Sequence, residues 1–263
     1  MANDNAVYIL DSYGLIYRAY FALVNHPLTN PAGDNISAVV IFFKNLKALL
    51  SKYKPSYLAA AFDSKTKTFR HEMYPEYKGT RSETPQLVID SLEPLMEICK
   101  ALRIPIIAQS GFEADDMIGS MAKIAEKEGF KVFMVSPDKD YGQLISENII
   151  QYKPGKSGSE NEIVDRSAIC SKYGICEPLQ VIDMLTICGD TSDNVPGVKG
   201  VGEVGAGKLI AKWVVPFADS EAFYTIKLED KDAKGNPHEY KIIVTTIQKL
   251  DNFITKNPKH PVL

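Results

Sequence analysis

Carboxylates dominate the part of the sequence that could do chemistry. Glu113, Asp115 and Asp116 fill three of four consecutive positions, just before an amphipathic helical pattern. At the pitch of an α-helix Glu113 and Asp116 share a face, and Asp115 is turned by about 100° from its neighbour. One or two acids are enough to favour a helix N-terminus. Because Asp138 and Asp140 follow the next apolar run, we expect the five acids to converge on a pocket that binds cations.

Further aspartates stand where predicted strands end. They are Asp11, Asp63 and Asp138, which follow the apolar runs 7–10, 57–62 and 131–135. In an open α/β sheet the ligand crevice lies outside the carboxyl ends of the strands, so these acids would meet the others there. Two unit charges about 4 Å apart repel by roughly 4 kcal/mol at an effective dielectric constant of 20. Oxygen ligands alone select Mg²⁺ or Mn²⁺. Any one aspartate could simply cap a helix or close a turn, but the whole set favours a metal site.

The elements that would position these acids alternate along the chain. Helical patterns at 36–54 and 84–102 separate the strands, and a further short strand is predicted at 104–107. This alternation predicts a mostly parallel central α/β sheet flanked by helices. Helices are also predicted at about 165–173 and 177–188.

Composition limits the classes of protein without choosing one. The 263 residues can form one large or two small domains, and the net charge of −3 does not announce a nucleic-acid binder. The N-terminus is polar, and no apolar run approaches the ~20 residues that span a membrane. The cysteines show no CxxC pairing, so we expect no zinc site but buried thiols in a reducing, cytoplasmic setting. They are Cys99, Cys170, Cys176 and Cys188.

Cations and aromatic rings alternate between the second and third predicted strands. The segment contains Lys65, Lys67, Phe69, Arg70, Tyr74, Tyr77, Lys78 and Arg81. Such a combination pairs with phosphates while stacking on unpaired bases. The alternative is a solvated loop whose rings pack on the body. Its position beside the acid cluster favours contact with a phosphodiester.

A glycine-rich turn follows two more aspartates, Asp190 and Asp193. It carries Gly197, Lys199, Gly200 and Gly202, and it precedes a short predicted helix at 207–213. Backbone N–H groups in such a turn can bind a phosphate, although ordinary helix connections also use glycine. Further on, residues 231–236 resemble the turn of a hairpin.

Taken together, these segments resemble the 5′-nuclease family: the N-terminal 5′→3′ exonuclease domain of bacterial DNA polymerase I and, more distantly, flap endonucleases. The resemblance implies a PIN-like catalytic domain over 1–176 with a helical arch at about 70–100. It also implies a helix–three-turn–helix DNA-binding domain over 177–263, whose part beyond about 214 matches nothing in the family. The matching segments are 10–11, 17–19, 61–63, 68–72, 77–81, 111–116, 138–144 and 189–202.

The resemblance also implies roles for individual residues in a two-metal hydrolysis with Mg²⁺ or Mn²⁺. One ion would be surrounded by Asp11, Asp63, Glu113 and Asp115, and the second by Asp115, Asp138, Asp140 and Asp193, with Asp116 and Asp190 acting through water. Lys78 and Arg81 would contact the scissile phosphate, Arg70 a further phosphate, and Tyr77 would stack on a base. Gly197, Lys199, Gly200 and Gly202 would contact the duplex. The family also leads us to expect K⁺ near 197–201.

The resemblance implies substrates and partners as well. They are DNA with a 5′ flap, a nick or an RNA primer, and a polymerase domain that would lie outside these residues; the chain is expected to act as a monomer. Residues 202–208 depart from the family because Val204 and Gly205 stand where a cation and a threonine are usual, which removes a positive charge near the DNA. Two other classes stay open: a non-catalytic binder of branched DNA, and a PIN-type ribonuclease.

Overall fold

A six-stranded sheet forms the centre of the molecule. The computed structural model describes residues 5–64, 66–155, 161–213, 223–231 and 237–243. The strands lie in the order β3-β2-β1-β4-β5-β6. They are β1 (Ala6–Asp11), β2 (Tyr57–Ala61), β3 (Ile106–Ile107), β4 (Lys131–Val135), β5 (Ile149–Lys153) and β6 (Glu162–Val164). All neighbours pair in parallel except β5 and β6. The predicted mostly parallel sheet is confirmed, but the sequence analysis did not identify β5 and β6.

Helices pack on both faces of this sheet. The first face carries α1 (Ser12–Leu23), α2 (Ser37–Tyr53) and α4 (Gln86–Ala101). The second carries α5 (Ala114–Lys127), α6 (Arg166–Tyr173), α7 (Val181–Cys188) and α8 (Glu203–Trp213). The short α3 (Phe69–Met73) and 3₁₀ turns at Asp140–Leu144 and Pro178–Gln180 complete the helical elements of the described part of the chain.

Alternation along the central strand divides the core into these two layers. Tyr8 and Leu10 of β1 lie in the cluster formed with α1, α2 and α4, whereas Ile9 lies in the cluster formed with α5, α7 and α8. All three side chains are buried. Burial on both faces is typical of a central parallel strand, and it fixes the register of Asp11 at the carboxyl edge.

The predicted arch at 70–100 includes helix α4, whose Val88, Leu95 and Cys99 are fully buried against the body. The arch stays a prediction. The expectation of buried thiols is confirmed for Cys99 but wrong for Cys176, which is exposed.

The C-terminal helices and strands follow the sequence pattern in part. Helix α8 begins four residues earlier than predicted, and a glycine-rich turn joins it to α7. Strands β7 (Phe223–Lys231) and β8 (Pro237–Ile243) pair antiparallel in a separate two-stranded sheet. This agrees with the predicted hairpin, although its turn at 232–236 lies outside the described residues. Within the described ranges, no helix is long and apolar enough to cross a bilayer.

Candidate active site

Asp11 lies where β1 passes directly into α1. Its carboxylate caps the helix by accepting a hydrogen bond of 2.9 Å from the Gly14 N–H, and it accepts another from the Ser136 hydroxyl. Burial and the neighbouring carboxylates of Asp138 and Asp63 raise the pKa of Asp11 to about 6, against the lowering effect of these hydrogen bonds. An acid in such a place favours a nearby positive charge.

The first turn of α5 collects the next acids. The Asp63 Oδ1 accepts a hydrogen bond of 2.6 Å from the Ala114 N–H, and burial raises the pKa of Asp63. Glu113 precedes the helix, and Asp116 Oδ2 accepts a hydrogen bond of 3.0 Å from the Glu113 N–H. The helix dipole thus contributes to holding these carboxylates at one edge of the sheet.

Two further carboxylates, Asp115 and Asp140, lie among negative charges. Burial and the charge of Asp11 raise the pKa of Asp115 to about 7, although the Tyr141 hydroxyl donates to it at 2.7 Å. Burial and the charges of Asp138 and Asp190 raise the pKa of Asp140 to about 7. The Asp140 Oδ1 is buried without a hydrogen-bond partner. At Asp115 the hydrogen bond from Tyr141, and at Asp140 the charge of Lys139, favour the ionised form, but desolvation and the negative neighbours outweigh them.

A buried amide on β5 supports the loop that carries Asp138. The Gln151 side chain is fully buried and donates to the carbonyl oxygens of Ser136 and Asp138. The charge of Asp138 acts on Asp11, Asp115 and Asp140 alike. Asp138 thus lies close enough to influence all three acids, and the assignment of Asp115 as the acid shared by two ions stays a prediction.

The cations predicted to bind phosphate form ion pairs with acids of this site. Lys78 Nζ is 2.7 Å from Glu113 Oε1, and an Arg81 guanidinium nitrogen is 2.6 Å from Asp193 Oδ1. Arg70 makes two hydrogen bonds of 2.8 Å to Asp116. Burial acts to raise the pKa of Asp116, but these bonds outweigh it, and the pKa lies below its usual value.

Tyr77 does not have the environment that its predicted role requires. Its ring is only 8% exposed, with His71 packed edge-on against it, and its hydroxyl donates to Glu113 and Asp193. Burial and these carboxylates raise the pKa of the phenol. A ring in this position presents no open face to a base. Stacking of Tyr77 on a nucleobase therefore stays a prediction, and it would require the ring to be uncovered.

Asp190 and Asp193 lie in a short closed loop after α7. The backbones of Asp190 and Val195 exchange hydrogen bonds of 2.8 Å in both directions. Burial acts to raise the pKa of Asp190, but hydrogen bonds from Ser192 and Lys139 hold it below its usual value. The loop thus places Asp193 beside Arg81, and the hydrogen bonds that Asp190 accepts hold the loop in shape.

The glycine-rich turn follows this loop and leads into α8. Lys199, Gly200 and Gly202 are exposed, and Gly200 has a φ of 81°, which favours glycine. Gly197 packs directly on the Cys188 carbonyl, where a side chain would collide with the backbone. The structure thus leaves the turn open to a large ligand, and its contact with DNA stays a prediction.

The chemistry of the donors fits a hard divalent cation. All the converging ligand candidates are carboxylates, and one buried oxygen, Asp140 Oδ1, lacks a partner. However, over 5–64, 66–155 and 161–213 no three Asp, Glu, His or Cys side chains surround one point as ligands of an ion. The assignment of each carboxylate to one of two ions therefore stays a prediction.

The sequence analysis missed several residues that position the acids. Ser136, Tyr141 and Lys139 donate to Asp11, Asp115 and Asp190. Tyr74 and Asn194 join the cationic segment to the 190–195 loop. The short motifs around residues 138–144 and 189–194 were a signal for some of them, but their partners lie far away in the chain.

The fold and the site together define an α/β protein with a cluster of carboxylates at the carboxyl edge of its sheet. The chain belongs to the 5′-3′ exonuclease family, since residues 6–174 match its N-terminal resolvase-like domain and residues 176–216 its C-terminal SAM fold. DNA polymerase I of Treponema pallidum is 40% identical over 210 residues, which are 80% of this chain and 21% of that protein. A 5′-3′ exonuclease of Aquifex aeolicus is 37% identical over 207 residues, 79% of this chain and 69% of that protein.

Solved structures show the same fold. The zinc-bound T5 5′-exonuclease superposes with a TM-score of 0.64 at 21% identity, covering 79% of this chain and 75% of that one. The catalytic core of Rad2 in complex with a DNA substrate gives a TM-score of 0.53 at 20% identity, over 80% and 62% of the two chains. The PIN-like fold is thus confirmed. The chain spans about a fifth of the length of the DNA polymerase I relatives.

Proposed function

We propose that this chain is a divalent-metal-dependent 5′→3′ exonuclease and structure-specific 5′-flap endonuclease. It hydrolyses phosphodiester bonds near junctions of single strand and duplex, as in removal of primers or flaps in DNA replication and repair. The observation that carries the proposal is the direct contact of Lys78 and Arg81 with the acid cluster. Membership of the 5′-3′ exonuclease family supports it.

The acids and the cations divide the work between them. Asp11, Asp63, Glu113, Asp115, Asp138, Asp140 and Asp193 would hold two Mg²⁺ or Mn²⁺ ions, with Asp116 and Asp190 supporting them through water. Bound there, the ions supply Lewis-acid stabilisation of the charge that develops on the phosphate. Lys78 and Arg81 bind the scissile phosphate, for which they must exchange their carboxylate partners, and Arg70 binds a further phosphate while orienting Asp116.

The exposed glycine-rich turn would hold the duplex away from the cut. Backbone N–H groups at Gly197, Gly200 and Gly202 would face phosphates, Lys199 would add a charge, and K⁺ would bind at carbonyl oxygens between residues 197 and 201. The polymerase domain of the relatives named DNA polymerase I would be a partner in a longer chain. These roles are the ones expected of a nuclease that acts on DNA with a 5′ flap, a nick or an RNA primer.

A comparison of substrates tests the proposal against its two alternatives. A 5′-flap duplex with a 5′ label, a nicked duplex and an RNA hairpin are each incubated with the protein in Mg²⁺, and both binding and cleavage are measured. We expect release of the flap by a cut near the junction. Binding of the flap duplex without cleavage would instead support a non-catalytic binder of branched DNA, and preferential cleavage of the hairpin a PIN-type ribonuclease.

A further inference from the structure

The loop after α7 is bonded to the turn that carries Lys78. The Tyr74 hydroxyl donates to the Asn194 carbonyl at 2.9 Å, and the Asn194 side-chain amide donates to the Glu76 carbonyl at 2.9 Å. The Lys78 N–H donates to the Asp193 carbonyl at 3.0 Å. These three bonds join segments that are more than a hundred residues apart in sequence, and none of them involves a carboxylate side chain.

The turn itself has an unfavourable backbone conformation. The Glu76 carbonyl also accepts from the Gly79 N–H at 2.9 Å, so Tyr77 and Lys78 are the central residues of the turn. Lys78 has a φ of 57°, in the left-handed region that glycine and asparagine adopt most readily. Such a conformation is unfavourable for a lysine and persists only where the surroundings enforce it. Here the Asn194 amide donates to the Glu76 carbonyl, and the Asp193 carbonyl accepts from the Lys78 N–H, so both bonds hold the strained turn.

Hydrogen bonds within the 190–195 loop hold its shape. The paired backbones of Asp190 and Val195 close it, and the Asp190 carboxylate accepts from the N–H groups of Ser192 and Asp193. Asn194 has a φ of 59°, which an asparagine tolerates better than most side chains. The loop can therefore act as a fixed support against which the turn is held.

We propose that Asn194 is a positioning residue, which, with Tyr74, holds the 76–79 turn so that Lys78 points into the acid cluster. The consequence is visible in the structure, where Lys78 Nζ reaches Glu113. Asn194 touches no reacting atom and acts through the turn. The kinetic part of this inference rests on the proposed nuclease function, whereas the structural part does not.

Two variants each remove one of the two side-chain bonds, and the backbone bond between Lys78 and Asp193 is left in place. Asn194→Gly deletes the amide and keeps a residue that accepts a positive φ, and Tyr74→Phe deletes one hydroxyl. Tyr57→Phe, at an exposed position at the start of β2, is the matched control. Hydrogen exchange of peptides covering residues 74–81 is measured by mass spectrometry, with peptides from β4 as internal reference. We expect faster exchange of the 74–81 peptides in Asn194→Gly and Tyr74→Phe alone.

Single-turnover cleavage then tests whether the turn acts through Lys78. At saturating flap DNA and Mg²⁺, Asn194→Gly should lower the rate by about 10- to 100-fold, the scale of a misplaced catalytic group. In a Lys78→Ala background the same substitution should change the rate by less than about threefold, because coupled residues are not additive. A purely structural loss would reduce the rate by the same factor in both backgrounds.

The outcomes separate this proposal from the proposed function. Unchanged exchange of the 74–81 peptides in Asn194→Gly overturns the positioning role whether or not the protein cleaves DNA. Faster exchange with equal rate losses in both Lys78 backgrounds overturns the action through Lys78. If the wild-type protein fails to cleave any substrate, the nuclease function falls, and the exchange data alone decide whether Asn194 holds the turn.

Discussion

Lys78 Nζ lies 2.7 Å from Glu113 Oε1, so a cation expected to bind phosphate contacts an acid expected to bind metal. The ammonium is partly and the carboxylate largely buried, so solvent screens the pair less than it would at the surface. The charges of Lys78 and Glu113 balance each other. We expect a metal ion at Glu113 and a phosphate at Lys78 to replace these partners. We therefore expect binding of a cation to Glu113 and binding of a phosphate to Lys78 to be linked.

Removing the Lys78 ammonium should slow cleavage strongly. Lys78→Ala eliminates a charge that stabilises the scissile phosphate, so we expect the rate at saturating Mg²⁺ to fall by about 10²- to 10³-fold. Lys47→Ala, at an exposed position of α2, controls for the loss of one positive charge. Single-turnover cleavage of flap DNA is the measurement. An unchanged rate would remove Lys78 from the phosphate-binding role.

A methyl group at Gly14 should disturb the site without disturbing the fold. A Cβ there would overlap with the Asp11 carboxylate, which would have to move. We expect Gly14→Ala to need more Mg²⁺ for cleavage and to lose at least about tenfold in rate at a fixed concentration, since misplaced ligands weaken binding. Gly205→Ala, on α8, is the matched control. Equal Mg²⁺ titrations for both variants would contradict the placement of Asp11.

Asp116 should matter for stability as well as for cleavage. It accepts two hydrogen bonds from Arg70 and one from the N-terminus of α5, so Asp116→Ala leaves the partly buried guanidinium with only its longer ion pair of 3.8 Å to Glu113. We expect cleavage to be abolished, DNA binding to be largely kept, and the free energy of unfolding to fall by about 1–3 kcal/mol. Denaturant titration and a gel-shift assay provide the measurements. Unaltered stability would show that the Arg70 pair contributes nothing to the fold.

Much of this site could be predicted from local sequence. Asp11, Asp63 and Asp138 follow apolar runs, and parallel pairing of β1, β2 and β4 brings them to one edge. The 5′-nuclease resemblance depended on short contiguous motifs of the same kind. Both predictions needed only strand direction and spacing, which apolar patterns encode directly.

The partners of these acids could not be predicted in the same way. The bonds of Tyr74 to Asn194 and of Arg81 to Asp193 join residues more than a hundred positions apart. They depend on how two loops pack against each other in the folded chain. Tyr77 shows the consequence, because its aromatic ring suggested stacking while its hydroxyl decides its position. The packing of α4 into the body was likewise a tertiary outcome that its helical pattern left open.

Asp183 on α7 should make stability depend on pH. Burial raises its pKa to about 6, so the folded state binds its proton more tightly than the unfolded chain does. Stability is then greatest below about pH 4 for this group and falls as the pH rises through about 6. We expect Asp183→Asn to raise the free energy of unfolding by about 1 kcal/mol at pH 8, since solvent screens the partly exposed group, and by little at pH 4.

Denaturant titrations of the wild type and Asp183→Asn at both pH values provide this measurement. Glu93→Gln, at an exposed position of α4, controls for the loss of one negative charge. A stability gain of the same size at pH 4 and pH 8 would show that burial of the Asp183 charge is not its cause.

The central claim, that the acid cluster is a divalent-metal nuclease site, is tested most directly by cleavage of a 5′-labelled flap duplex across a Mg²⁺ titration and in EDTA. Asp138→Asn is the partner variant, because the charge of Asp138 acts on Asp11, Asp115 and Asp140. The account predicts flap release that rises with Mg²⁺, stops in EDTA and is lost in Asp138→Asn. Cleavage that persists in EDTA, or that Asp138→Asn leaves unchanged, would contradict it.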